Sequence, residues 1–130
     1  MLLIYLQVIQ FDFTGRNCQY WNISYDRVTG EAIIFSYMHP HCALDVRSTG
    51  LYLGVYEEGK VSQMWIFKND RFFNQGRVMT AFLTIPGDTT PIDTFPLSHF
   101  GSDDQKFYIM QKDNIKNPFP SQDERVYLDR

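Results

Sequence analysis

Hydrophobic and polar positions along this chain alternate in short bursts and never settle into a helical period. Apolar or partly alternating runs lie at 4–11, 51–56 and 92–97, each bordered on one side by Gly, Asp or Pro. Short runs of this kind, punctuated by turn residues, read as strands. No window of about 11 to 18 residues sustains an apolar stripe at helical spacing. The pattern therefore predicts an all-β chain. Its most apolar run, Met1-Leu2-Leu3-Ile4-Tyr5-Leu6-Gln7-Val8-Ile9-Gln10-Phe11, has no leading Lys or Arg and no small-residue cleavage site. It is also well short of the ~20 residues of a membrane-spanning helix. The expectation is a buried strand, with no evident signal peptide and no membrane insertion. Such a chain would be cytoplasmic, or exported without a classical signal.

The same pattern repeats. Gln, any residue, then a large aromatic occurs at Gln19-Tyr20-Trp21, Gln63-Met64-Trp65 and Gln105-Lys106-Phe107, at spacings of 44 and 42 residues. Each aromatic is followed by a short apolar piece and a polar turn: Asn22-Ile23-Ser24-Tyr25-Asp26, Ile66-Phe67-Lys68-Asn69-Asp70 and Tyr108-Ile109-Met110-Gln111-Lys112-Asp113. The units converge again at Cys42-Ala43-Leu44-Asp45-Val46, at Val78-Met79-Thr80-Ala81-Phe82 and at Val126-Tyr127-Leu128-Asp129-Arg130. Read as a circle, residues 1–130 form one domain of three units of about 43 residues, each with about four short strands. One unit cannot bury its apolar faces alone, so threefold packing around a shared core is the simplest closed solution.

Three Gln-x-aromatic motifs at this spacing resemble the ricin B-chain type of β-trefoil lectin domain, over essentially the whole chain. The resemblance implies a β-trefoil, a six-stranded barrel capped by three hairpins. It also implies that the aromatic of each motif is mainly core and that the Gln supports the local turn. One departure stands out: the strand that usually opens such domains sits at the C-terminus for one unit, ending Leu128-Asp129-Arg130. The chain then looks permuted by one strand, the alternatives being a fragment of a longer protein or a degenerate first unit.

In the resembled family, sugar binding rests on an Asp of the Leu-Asp-Val strand, an aromatic on the next strand and a polar residue at or beside the Gln. A sugar packs its C–H face on an aromatic ring, while its hydroxyls donate to a carboxylate in charge-assisted bonds. Unit two keeps this set best. Asp45 would accept sugar hydroxyls, Tyr56 would stack, and Gln63 with Ser62 would hydrogen-bond and hold the wall; Ser62 stands where Asn or Asp is usual. The opposing reading makes Asp45 a turn cap and Tyr56 ordinary packing. The permuted unit would combine Asp129, Phe11 and Gln19, which requires the chain ends to meet. The third unit has Thr80 in place of the Asp, although Asp93, His99 and Asp104 remain near Gln105.

Composition narrows the partners. The net charge is −3, with 44% hydrophobic, 21% charged and 16% aromatic residues and no basic cluster, so nucleic acid is excluded as an expected partner. Two cysteines, Cys18 and Cys42, make no disulfide scaffold; one bridge or two free thiols both remain open. His39-Pro40-His41-Cys42 holds good zinc ligands, but strand alternation splits them and no fourth ligand is evident, so a turn entering a strand is expected and no metal. Glu57-Glu58 and Asp103-Asp104 are sequence neighbours, which face opposite ways on a strand and cannot flank a sugar as glycosidase carboxylates do. Ser98-His99 lacks a nucleophile elbow, and no phosphate-binding glycine loop occurs. Asn22-Ile23-Ser24 matches a glycosylation sequon by pattern alone, at the start of a strand.

These observations give an expectation of a lectin that is no enzyme and needs no cofactor. Its partners would be glycans or glycoproteins, in a homo-oligomer or as a subunit of a larger assembly. The competing expectation is a β-trefoil inhibitor or assembly module without sugar binding, with recognition carried by a loop such as 84–91, because fold alone does not choose function.

Overall fold

The computed structural model describes residues 6–7, 19–81, 92–97 and 105–107. The described residues form nine strands: β1 (Leu6–Gln7), β2 (Trp21–Tyr25), β3 (Ala32–Ser36), β4 (Cys42–Arg47), β5 (Gly50–Val55), β6 (Ile66–Lys68), β7 (Arg71–Asn74), β8 (Arg77–Thr80) and β9 (Asp93–Phe95). A single turn of 3-10 helix, Val61–Gln63, is inserted between β5 and β6. The all-β expectation holds for these residues.

All pairings are antiparallel and follow the order β2-β3-β4-β5-β9-β8-β7-β6, with β1 added on β5. The ribbon curls back on itself. Ala32 at the start of β3 and Trp65 just before β6 exchange both backbone bonds, Ala32 N–H to Trp65 O at 2.7 Å and Trp65 N–H to Ala32 O at 2.9 Å. Curling lets one face of a twisted sheet enclose its own core and removes an open edge. The enclosed core holds Ala32, Ile34, Leu44, Leu51, Trp65, Phe72 and Met79, with Phe107 and Ile92 packed against it. These residues come from all three units, which is the shared core the repeats require.

The repeats agree in register as well as in sequence. In β2–β3, Asn22 faces Phe35 and Ile23 faces Ile34; in β6–β7, Ile66 faces Phe73 and Phe67 faces Phe72. In β4–β5, Leu44 faces Leu53 and Asp45 faces Tyr52; in β8–β9, Met79 faces Thr94 and Thr80 faces Asp93. Unit two is complete here, as β4, β5, β6 and β7, matching the expected four strands per unit.

Turn chemistry sets these registers. Asn69 and Asp70 both take positive φ (53° and 62°) between the facing residues Lys68 and Arg71, the two-residue primed turn that suits strand twist. Gln75 and Gly76 do the same (53° and 80°) between Asn74 and Arg77. The β2–β3 connection is longer, a six-residue loop at 26–31. There the Asp26 carboxylate accepts from the Val28 N–H at 2.8 Å, and the Gly30 N–H closes on Asp26 O at 2.8 Å.

Two expectations are refined. Trp65 is fully buried, as the resemblance implies for its motif, but Trp21 is 36% exposed on the β2–β3 hairpin. Residues 39–41 do form a turn entering β4, closed by the Cys42 N–H on His39 O at 2.9 Å. His39 and His41 are exposed and Cys42 is a half-buried free thiol.

Candidate functional site

The candidate site of unit two is built around one buried amide. Gln63 sits on the 3-10 turn with no exposed surface. Its Nε2 donates to Val55 O at 2.9 Å and to Asp45 Oδ2 at 3.3 Å, and its Oε1 accepts from the Glu57 N–H at 3.0 Å. The side chain thus pins the backbone on both sides of Tyr56 and ties it to the Asp45 carboxylate. A buried polar group satisfied at every position orders its surroundings, since breaking one bond strands another.

Asp45 lies on β4 between two apolar neighbours, and its residue exposure is only 2%. Burying a carboxylate requires compensation. Gln63 supplies part of it, and Lys60 supplies the rest: its Nζ stands 3.1 Å from Asp45 Oδ2. The same ammonium is 3.9 Å from Glu57 Oε2. Sequence reading missed Lys60 altogether. The signal was a lone cation three residues before the Gln, and only the turn at Glu57–Lys60, with Gly59 at φ 78°, brings it back over β4.

Tyr56 lies just beyond β5, 36% exposed, its ring edge-on to Phe35 with centroids 5.2 Å apart. It therefore offers ring surface to solvent while Phe35 fixes its tilt. Ser62 contributes backbone: its carbonyl accepts from Asn74 Nδ2 at 2.9 Å, which ties the turn to β7. Glu57 and Glu58 are exposed turn residues, as expected. The structure thus brings Asp45, Gln63 and the Tyr56 segment together, with Ser62 beside them. Of the permuted set, Gln19 is half-buried, while Phe11 and Asp129 lie outside the described residues. Cys18, His99, Asp103, Asp104 and loop 84–91 lie outside them too.

Unit three repeats the frame without the charge. Gln105 Nε2 donates to Pro96 O at 2.9 Å and to Thr80 Oγ1 at 3.3 Å, the counterparts of Val55 O and Asp45 Oδ2. The Thr80 hydroxyl in turn donates to Val78 O at 3.0 Å. Below each motif the aromatic is docked alike, Trp65 N–H on Ala32 O and Phe107 N–H on Asp70 O at 2.7 Å. Trp65 adds a bond from Nε1 to Leu44 O at 3.2 Å, one residue from Asp45. Among the described residues, no group of three or more His, Cys, Asp or Glu is placed to hold a metal ion.

No protein-family model matches the sequence, and no curated protein sequence matches it. Solved structures do. A mosquitocidal holotoxin matches 77% of this chain with a TM-score of 0.66 and 20% identity, and the chain spans 14% of the length of that toxin chain. ThreeFoil, a designed protein with threefold symmetry, matches with a TM-score of 0.61 and 21% identity over 77% of each chain. With the repeated strand registers and the curled sheet, these likenesses make the fold a β-trefoil.

Proposed function

We propose that this chain is a non-catalytic carbohydrate-binding domain of the lectin type, recognising glycans or glycoproteins through a shallow site on unit two. The observation that carries this reading is the Gln63 clamp. It joins an acidic acceptor to a segment bearing a half-exposed aromatic ring, the pairing that a sugar's hydroxyls and C–H face require. Asp45 takes the hydroxyls, Tyr56 stacks, and Gln63 holds both in place. Unit three keeps the clamp but offers Thr80 instead of a carboxylate, so it contributes scaffold more than affinity. Sites of this kind bind weakly, with Kd on the order of mM to μM, and gain strength when several are presented together.

The test is a glycan array with free sugar as competitor, followed by Asp45→Ala. Retention on the glycan found should fall to background while the thermal transition stays cooperative. Unchanged retention would remove Asp45 from the site. A second reading, an interaction or structural module without sugar binding, is favoured by the 2% exposure of Asp45. A blank across mammalian, plant and microbial glycans decides for that second reading.

A further inference from the structure

Lone-pair arithmetic at Asp45 sets a condition on any ligand of unit two. An ionised carboxylate offers about four acceptor positions, two on each oxygen. Among the described residues, two donors reach it, Gln63 Nε2 and Lys60 Nζ, and both fall on Oδ2. That oxygen is filled before any ligand arrives. A pair of neighbouring sugar hydroxyls cannot then chelate the two oxygens unless one donor leaves. Gln63 is locked by its bonds to Val55 O and the Glu57 N–H. Lys60 is the more exposed of these two donors: its side chain is 29% exposed, on a long stem at the edge of a turn, whereas Gln63 is fully buried.

We propose that Lys60 is a latch on the unit-two site, and so the residue that sets its affinity and selectivity; the inference rests on the carbohydrate-binding reading. In the closed position the ammonium occupies Asp45 Oδ2. In the open position it moves to Glu57, whose carboxylate is already 3.9 Å from Nζ and is 64% exposed. Glu57 is free to act as the receiving partner through its side chain because its tie to Gln63 is made by the backbone N–H alone. Glu58, the other acid of this turn, is exposed and adds to the negative field that holds the open position. No bond is made or broken; an ion pair changes partner. Ligands that present two adjacent hydroxyl donors displace Lys60, whereas a ligand offering only acceptors at that place meets the buried carboxylate and is rejected.

The test compares wild type, Lys60→Met, Glu57→Gln and the double variant on one array of galactose-, N-acetylglucosamine-, mannose- and fucose-terminated glycans. Lys60→Met keeps the apolar stem and removes the competitor, so binding to the best glycan should strengthen about tenfold, or appear where wild type shows none. Glu57→Gln removes the open position and should weaken binding, by about threefold, and this effect should vanish in the Lys60→Met background. Because Lys60→Met also takes a cation from a buried carboxylate, urea titrations accompany each variant and binding is compared per folded molecule. Equal or weaker binding by Lys60→Met, with wild type binding, overturns the latch and leaves the carbohydrate reading intact. Silence from all four proteins overturns both.

Discussion

Gln63 and Asp45 form a unit that neither residue can leave cheaply. Replacing Gln63 by Leu would strand the Glu57 N–H and Val55 O, and would remove one of the two donors on a buried carboxylate. Each unsatisfied buried group costs roughly 1–3 kcal/mol, so Gln63→Leu should lower stability by about 3 kcal/mol in urea denaturation. A loss below about 1 kcal/mol would mean that water replaces the amide and that the clamp is not structural. The motif Gln was legible in the sequence because a polar residue recurring beside a core aromatic needs a repeated reason. Its partners were legible in part. Asp45 sits on β4, a strand the repeats foresee, and Tyr56 directly follows β5, whereas Lys60 reaches Asp45 only through the Glu57–Lys60 turn, and one Lys before a motif carries no periodic signal. Trp21 teaches the converse: it shares its motif with Trp65 yet is far more exposed, because a motif specifies the local turn but not what packs over it.

At the level of elements, the hairpins owe their register to a few left-handed residues. Gly76 has φ 80°, a conformation that costs an L-residue roughly 1–2 kcal/mol. Gly76→Ala should therefore destabilise the protein by about 1 kcal/mol through the β7–β8 turn, seen as a lower thermal midpoint. An unchanged midpoint would show that the turn relaxes. The strands flanking these turns were foreseen from apolar runs and Gly, Asn and Asp punctuation, and the correspondence of 51–56 with 92–97 is the one observed, since Val55 O and Pro96 O play the same part. Strand limits were harder to foresee. Ile66 is apolar yet exposed, because it alternates with the inward-facing Trp65 and Phe67.

For the whole molecule, units two and three share the Gln frame but differ in charge. Thr80 is as buried as Asp45, and the residue three before Gln105 is Ser102, where unit two has Lys60. Thr80→Asp would place a buried carboxylate beside the Gln105 amide, in a unit whose sequence has no Lys three residues before that Gln. A buried charge without a partner costs roughly 3–5 kcal/mol, so this variant should lose about 3 kcal/mol in urea denaturation. Equal stability of Thr80→Asp and wild type would mean that unit three opens to solvent more readily than unit two. The β-trefoil plan was legible because pseudo-symmetry repeats its signal three times; the inequality of the sites was half-legible, as a Thr for an Asp, and the cation that completes it was not.

The 26–31 loop has a practical consequence. Its bonds close on themselves through Asp26, Thr29 and Glu31, and Val28 at its tip is 95% exposed. It connects β2 and β3, whereas the Gln63 clamp is built from β4, β5 and the 3-10 turn after them. With Cys18 and Cys42 replaced by Ser, a biotin-bearing cysteine at position 28 would be the sole thiol and would tether every molecule to a sensor chip by the same point, so that weak glycan binding could be read from a uniformly oriented layer.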